Sequence, residues 1–274
     1  MLTVSQLFIY PVKSLGGVAL QQARISDRGL KYDRRWMLID ENNRFLSQRS
    51  HPQMALFRLS AAEAGFRVTF LPDQTSVYIA YKPYLGDRVE VSVWDDRCSA
   101  NLLNDELDSW FSQKLGMPCR LVYMPDDSFR PVDARYAADH EGVSFADAYP
   151  FLLAGEASLE ELNRRLNAVL PMNRFRPNIV FTGGEPYFED RMAEFSINHI
   201  RFFGVKPCAR CVMIGVDQET AQTYKEPMKT LAAYRTKNQK VYFGQNLIHK
   251  GEGYIAVGDP IEVQQLKPDF MAQD

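Results

Sequence analysis

Cys208 and Cys211, three residues apart in "VKPCARCVMIGVD", carry the most reactive chemistry in this sequence. A C-x-x-C pair can be half of a zinc site, a redox dithiol, one working thiolate beside a structural neighbour, or two small buried hydrophobes. A structural zinc needs four ligands, and the other candidates, Cys98, Cys119, His51, His140, His199 and His249, are scattered along the chain. A thioredoxin-like dithiol needs its first cysteine at a helix N-terminus, whereas the following "VMIGVD" reads as a β-branched strand. Lys206 and Arg210 surround the pair with positive charge. In such a setting a thiol serves as a nucleophile or as a ligand for a soft or redox-active metal.

Three other stretches carry chemistry. Lys13 and Ser14 precede Gly16 and Gly17, a pattern that suits either a phosphate or an ordinary turn with an exposed lysine. Arg34 and Arg35 sit side by side where a strand begins, so alternation sends them to opposite faces and at most one reaches a given site. Arg174 and Arg176 flank Phe175 ahead of Asn178 and an apolar run, which marks an anion site or a structural ion pair. Glu189, Asp190 and Glu194 read as solvated or arginine-paired carboxylates rather than a catalytic dyad. No G-x-S-x-G, H-E-x-x-H or Walker pattern gives a hydrolase or nucleotidase reading any support.

The elements that must position these residues are mainly strands. Seven β-rich runs from "LTVSQLFIYPV" to "RVEVSVW" fill the first third, separated by Gly, Pro, Asp and Asn. In "NLLNDELDSWFSQKLG", Leu102, Leu103, Leu107, Trp110, Phe111 and Leu115 share a helical face, with Gly116 as the stop. A polar segment, "PDDSFRPVDARYAADHEG", is long enough to be a functional loop. Ser158 and Glu161 form a capping-box pattern that opens a second helix running toward Pro171. Strands then return, interrupted by a short helix around "EPMKTLAAYR". The expected fold is mainly β, a β-barrel with a few packed helices. An N-terminal β unit takes residues 1–95, and a closed or partly closed barrel takes 96–274. No βαβ alternation points to a dinucleotide-binding domain.

With 46% apolar and 24% charged residues and a net charge of −2, the chain is an ordinary globular one. It does not have the charge of a protein that coats nucleic acid or anionic membrane. The stretch "MLTVSQLFIYPVKSLGG" does not have the pattern of a signal peptide, and no run approaches the roughly 18 apolar residues of a membrane helix. Four cysteines in so long a chain are no disulfide framework, and a cytoplasmic location is the default expectation.

Taken together, "IYPVKSLGGV", "GLKYDRRWMLID", "PFLLAGEASLEELNRRL", "RFRPNIVFTG", "PCARCVMIGVD", "KEPMKTLAAYR", "FGQN" and "VGDPIEV" resemble, in order and spacing, the MOSC superfamily. The likeness is to the bacterial YcbX proteins and the mitochondrial amidoxime-reducing components, and it covers nearly the whole chain. The resemblance implies an N-terminal β-barrel partner domain in front of a MOSC domain. It also implies a molybdenum cofactor (Mo-molybdopterin) held between the two, with Cys211 as the metal ligand and catalytic centre. Cofactor contacts would fall on Lys13, Ser14, Arg34, Tyr149, Arg176, Asn178, Arg210 and Asn246. In this chain Ala148 and Tyr149 stand where relatives have small hydroxyl residues, and Asn246 stands where eukaryotic relatives have an aromatic one. The implied activity is reduction of N-hydroxylated compounds (hydroxylaminopurines, hydroxylamines, amidoximes) in detoxification, with His51 or Asp190 as candidate proton donors. Alternatives are a sulfur-transfer protein carrying a persulfide on Cys211, or a cofactor carrier without turnover. The C-x4-C-x2-C run of a plant-type ferredoxin is not present. Electrons are therefore expected from a separate flavodoxin, ferredoxin or flavoreductase. No nucleic acid polymer or membrane partner is expected.

Overall fold

A computed structural model describes residues 1–136 and 141–272 of the chain; His140 lies outside the described residues. Seven strands close into a barrel in the order Phe151–Gly155, Ile179–Thr182, Leu2–Ile9, Pro260–Leu266, Met192–Ile197, Ile200–Ala209 and Lys240–Lys250. Closure comes from Phe151 facing Leu247 and Leu153 facing Gln245. The expectation of a mainly β protein with packed helices therefore holds. One barrel strand, Leu2–Ile9, comes from the far N-terminus, with Leu7 opposite Ile179 and Leu2 opposite Ile261. Position 95 lies in the turn of the hairpin that joins Arg88–Val93 to Asp96–Leu102.

Val18–Leu20 and Thr236–Lys237 pair onto the barrel strands Leu2–Ile9 and Lys240–Lys250, and among the described residues the other strands form three smaller sheets. One is four-stranded and antiparallel, in the order Trp36–Ile39, Arg120–Tyr123, Asp96–Leu102 and Arg88–Val93. Alternate inward residues of these sheets meet those of the barrel in one core. Trp36, Phe57, Phe66, Phe151, Phe195 and Phe202, all buried, belong to the same apolar cluster. At about 25 cal/mol per Å² of apolar surface removed from water, this shared core holds the two halves of the chain together.

Local chemistry moves three expected boundaries. The first helix is Asp105–Leu115, because the Asn104 side chain accepts the Leu107 N–H at 2.9 Å and caps it. Leu102 is instead the last residue of a strand, while Gly116 ends the helix in the left-handed conformation (φ 67°) as expected. The second helix is Glu156–Asn163 with Gly155 at its N-cap. Ser158 does not cap it: its hydroxyl donates to Glu189 Oε2 (2.8 Å) and accepts the Tyr187 N–H. "VMIG" is not a strand but a single 3₁₀ turn, Val212–Gly215. Its carbonyls are taken by a buried arginine: Arg174 donates to Ile214 O and Gly215 O and pairs with Asp217. Of the two arginines flanking Phe175, this one is structural.

Candidate functional site

One cavity lies where the N-terminal sheets meet the mouth of the barrel. Its lining includes Lys13, Ser14, Arg34, Tyr149, Arg176, Asn178, Arg210, Cys211 and Asn246, so every residue singled out above as a cofactor contact or metal ligand faces the same space. Cys208 lines it too, as do Phe45, Arg49, Trp94 and Asp147, which sequence reasoning missed. His51 and Asp190 are not part of it. Asp190 is buried in an ion pair with Arg235, and Glu189 beside it accepts from Gly155 N and Ser158. Glu194 pairs with Arg201.

Backbone geometry turns the polar side chains inward. Ser14 (φ 67°), Arg34 (φ 48°), Trp94 (φ 58°) and Arg176 (φ 54°) all adopt the left-handed region although none is glycine. Each such residue costs about 1–2 kcal/mol, and residues strained in this way cluster at functional sites. Arg34 and Arg35 do diverge, but through this turn rather than by strand alternation. Arg34 reaches the cavity, and Arg35 binds Met124 O and Asp126. The glycines after Ser14 serve packing rather than a ligand. A Cβ on Gly16 would come within 2.8 Å of Phe57 O, and one on Gly17 within 2.6 Å of the Tyr10 ring.

Several cavity residues are already engaged. Lys13, almost fully buried, donates to Phe145 O (2.7 Å) and to Asp147 Oδ1 (2.5 Å). Burial pulls its pKa down, and Asp147 opposes that shift. Arg34 donates to Asp33 Oδ2, Asn178 Oδ1 and Arg176 O. Asn178 also accepts the Leu152 N–H and donates to Phe8 O, so its amide acts by orienting Arg34. Arg210 donates to Cys208 Sγ at 3.0 Å and to Phe175 O, while its buried Nε has no partner among the described residues. The cation beside the cysteine pair therefore sits on Cys208, and Cys211 is left exposed at the start of the 3₁₀ turn. Gln48 fixes the relation between these parts. It donates to Ser14 O (2.8 Å) and exchanges two amide bonds with Gln218, beyond Cys211.

The free groups define what the cavity can hold. The side chains of Ser14, Arg49, Tyr149, Arg176 and Asn246 have no hydrogen-bond partner among the described residues. Arg176 is the sharpest case. It is 6% exposed, and burial pulls its pKa down to about 10. Its guanidinium lies 4.2 Å from the Tyr10 ring centroid, with that of Arg34 4.3 Å from the same ring. Burial in turn pushes Tyr10 up to about 12. Five cations line the cavity against one carboxylate, Asp147, a field that favours an anion. An exposed thiol at the edge of such a field adds a soft metal ligand. Among the described residues, no three of His, Cys, Asp and Glu converge as a metal site, and no helix is long and apolar enough to cross a membrane.

Comparison with known proteins bears on the same regions. The MOSC N-terminal beta barrel domain family matches residues 1–118, and the MOSC domain family matches residues 140–262. Mitochondrial amidoxime-reducing component 1 of Mus musculus is 32% identical, over 94% of this chain and 81% of the relative. Its Homo sapiens counterpart is 31% identical, over 94% and 82%. Molybdenum cofactor sulfurase of Oryza sativa subsp. japonica is 32% identical over 97% of this chain, which spans only 35% of that longer protein.

Proposed function

Since the chain belongs to the MOSC-domain family that carries an N-terminal MOSC beta barrel domain, we propose that it is a molybdenum-cofactor-dependent reductase of N-hydroxylated compounds with a detoxifying role. Hydroxylaminopurines, hydroxylamines and amidoximes are its substrate class. The observation that carries this reading is the buried, unpartnered Arg176 guanidinium in the same cavity as the exposed Cys211 thiol. A molybdopterin needs both a cation site for its phosphate and a thiolate for its metal, and the residues present fit that group. Support from relatives lies in the amidoxime-reducing components, which align over more than four-fifths of their own length.

Two-electron, two-proton reduction of an N–O bond, releasing water and the amine (the amidine from an amidoxime), is the chemistry such a cofactor supplies when bound. In this assignment Arg176 takes the phosphate, since a planar guanidinium pairs two phosphate oxygens at once. Ser14, Tyr149 and Asn246 offer uncommitted donors and acceptors to the pterin edges. Burial pushes the Tyr149 hydroxyl upward in pKa, so it stays protonated and able to donate. Lys13 and Arg34 contribute charge while held by Asp147 and Asp33. Cys211 ligates the metal, and Arg210 holds Cys208 aside as a neighbour. Electrons come from a separate redox protein.

The test is turnover. Protein from cells competent for molybdopterin synthesis should reduce benzamidoxime with an artificial electron donor, and Cys211→Ala should abolish the reaction. A metal-loaded, folded wild type without such activity refutes the reductase. The likeness to the sulfurase favours a second reading, a persulfide carried on Cys211. Mass spectrometry showing a reducible sulfur adduct on Cys211 without bound pterin selects that reading.

A further inference from the structure

Trp94 stands in the wrong place for a tryptophan. It is the first residue of the two-residue turn between Val93 and Asp96, and it alone of that turn has positive φ (58°). Hairpin turns of this form favour glycine there, and a bulky side chain in the left-handed region is a genuine outlier. A residue that contradicts the local turn chemistry is held for what its side chain does.

The side chain is held firmly. Its Nε1 donates to Asp147 Oδ1 at 3.2 Å, the same oxygen that receives Lys13 Nζ. The Phe45 ring lies 5.1 Å away, and the Arg49 guanidinium carbon lies 3.9 Å from the indole centroid. Arg49 is exposed and, among the described residues, has neither a carboxylate nor a hydrogen-bond partner. Stacking on Trp94 and Phe45 is what keeps it at the cavity mouth. The indole itself remains 43% exposed.

We propose that Trp94 and Arg49 form a stacking platform at the cavity mouth that selects flat, conjugated N-hydroxylated molecules over aliphatic ones bearing the same N–O group. An indole and a guanidinium in contact present extended flat surface to solvent, and both stack on π systems of any sequence of ring atoms. An aliphatic substrate gains nothing from either. Trp94 and Arg49 are thus specificity-determining residues at the entrance, remote from Arg176 and Cys211 in role. This inference rests on the reductase reading for its substrate class.

Two measurements separate the two ideas. In the first, benzamidoxime and acetamidoxime, which share the amidoxime group and differ in the ring, are titrated onto the purified full chain while tryptophan fluorescence is followed. Of the three tryptophans, Trp36 is fully buried and the half-buried Trp110 packs on Phe57 and Phe111 and does not line the cavity, so Trp94 is the one a ligand at the cavity mouth quenches. Benzamidoxime should quench saturably, acetamidoxime should not, and Trp94→Phe should remove most of the effect. In the second, the KM ratio of the two amidoximes is measured on metal-loaded enzyme. Trp94→Ala should erode the preference for benzamidoxime about tenfold, the scale of one lost stacking contact, and Arg49→Ala should erode it less. Equal quenching by both probes, or an unchanged KM ratio in active Trp94→Ala enzyme, overturns the platform. Saturable quenching by benzamidoxime in a protein that reduces neither probe supports the platform and refutes the reductase instead.

Discussion

Replacing Arg176 with methionine should make the cofactor-free protein more stable and the loaded protein weaker at holding its cofactor. Methionine keeps most of the volume and flexibility of the side chain while removing its charge. Burial pulls Arg176 from an ordinary value above 12 down to about 10. At about 1.4 kcal/mol per tenfold change in proton affinity, the charged group costs about 3 kcal/mol in the cofactor-free protein. The Tyr10 stack returns about 1 kcal/mol, and the left-handed backbone strain is common to both side chains. A net gain of about 2 kcal/mol should raise the melting midpoint of cofactor-free protein by roughly 4–8 °C. The folded state holds this proton less tightly than the unfolded state. The cost is therefore fully present at neutral pH and eases only as pH rises through about 10. In loaded protein the same substitution would delete the charge-assisted hydrogen bonds proposed for Arg176, worth about 1.5–3 kcal/mol. Cofactor retention on dialysis should weaken roughly ten- to hundredfold. Differential scanning fluorimetry on protein from pterin-deficient cells, beside molybdenum analysis of dialysed protein from competent cells, reads both effects. A variant destabilised without cofactor, or one that retains cofactor as well as wild type, refutes the reasoning.

The buried carboxylate behind the second helix should give the fold a pH dependence. Burial, and then the neighbouring Asp190, push the Glu189 pKa well above the ordinary carboxylate range. The stability linked to Glu189 protonation is fully present below that range and is lost as pH rises toward neutrality. Glu189→Gln should flatten the fall in melting temperature between about pH 5 and 7, and an unchanged slope assigns the dependence elsewhere. Ser158→Ala removes the donor to Glu189 and the acceptor of the Tyr187 N–H. It should cost about 1–3 kcal/mol in urea unfolding, and a loss below about 0.5 kcal/mol, the ordinary range for a neutral surface change, contradicts the role given to this hydroxyl. Arg174→Leu should destabilise by about 2–3 kcal/mol, because it strips the buried Ile214 O of its donor, leaves Gly215 O with only the Tyr224 N–H, and takes the ion-pair partner from Asp217. A variant as stable as wild type rules out its function as the anchor of the turn behind Cys211.

How much of this was legible in the sequence depends on range. Period-2 runs such as "RVEVSVW" and "FRVTFL" give their strands directly, because alternation is a local property. The placing of Leu2–Ile9 between Ile179–Thr182 and Pro260–Leu266 is a matter of register between distant segments, and no local pattern carries it. "VMIGVD" has strand composition, yet Arg174, forty residues away from its first acceptor, decides its conformation. Ser158 has a capping-box spacing, but a buried Glu189 competes for its hydroxyl and wins. The site residues were marked by resemblance and residue type. That four of the lining residues lie in left-handed backbone is invisible without coordinates. Arg49, Trp94 and Asp147 escaped because they sit in turns, where hydrophobic periodicity says nothing. The one signal available for Trp94 was its misfit: a tryptophan where two strands call for a glycine-like turn.

The central claim is that Cys211 ligates a molybdenum held by a pterin in this cavity. Molybdenum and pterin measured together on freshly purified wild type and Cys211→Ala, both from cells competent for molybdopterin synthesis, test it most directly. The account predicts close to one of each per wild-type chain, and a loss of most of the molybdenum from a Cys211→Ala protein that still melts cooperatively. Wild-type protein free of molybdenum, or a variant that keeps its full complement, contradicts it.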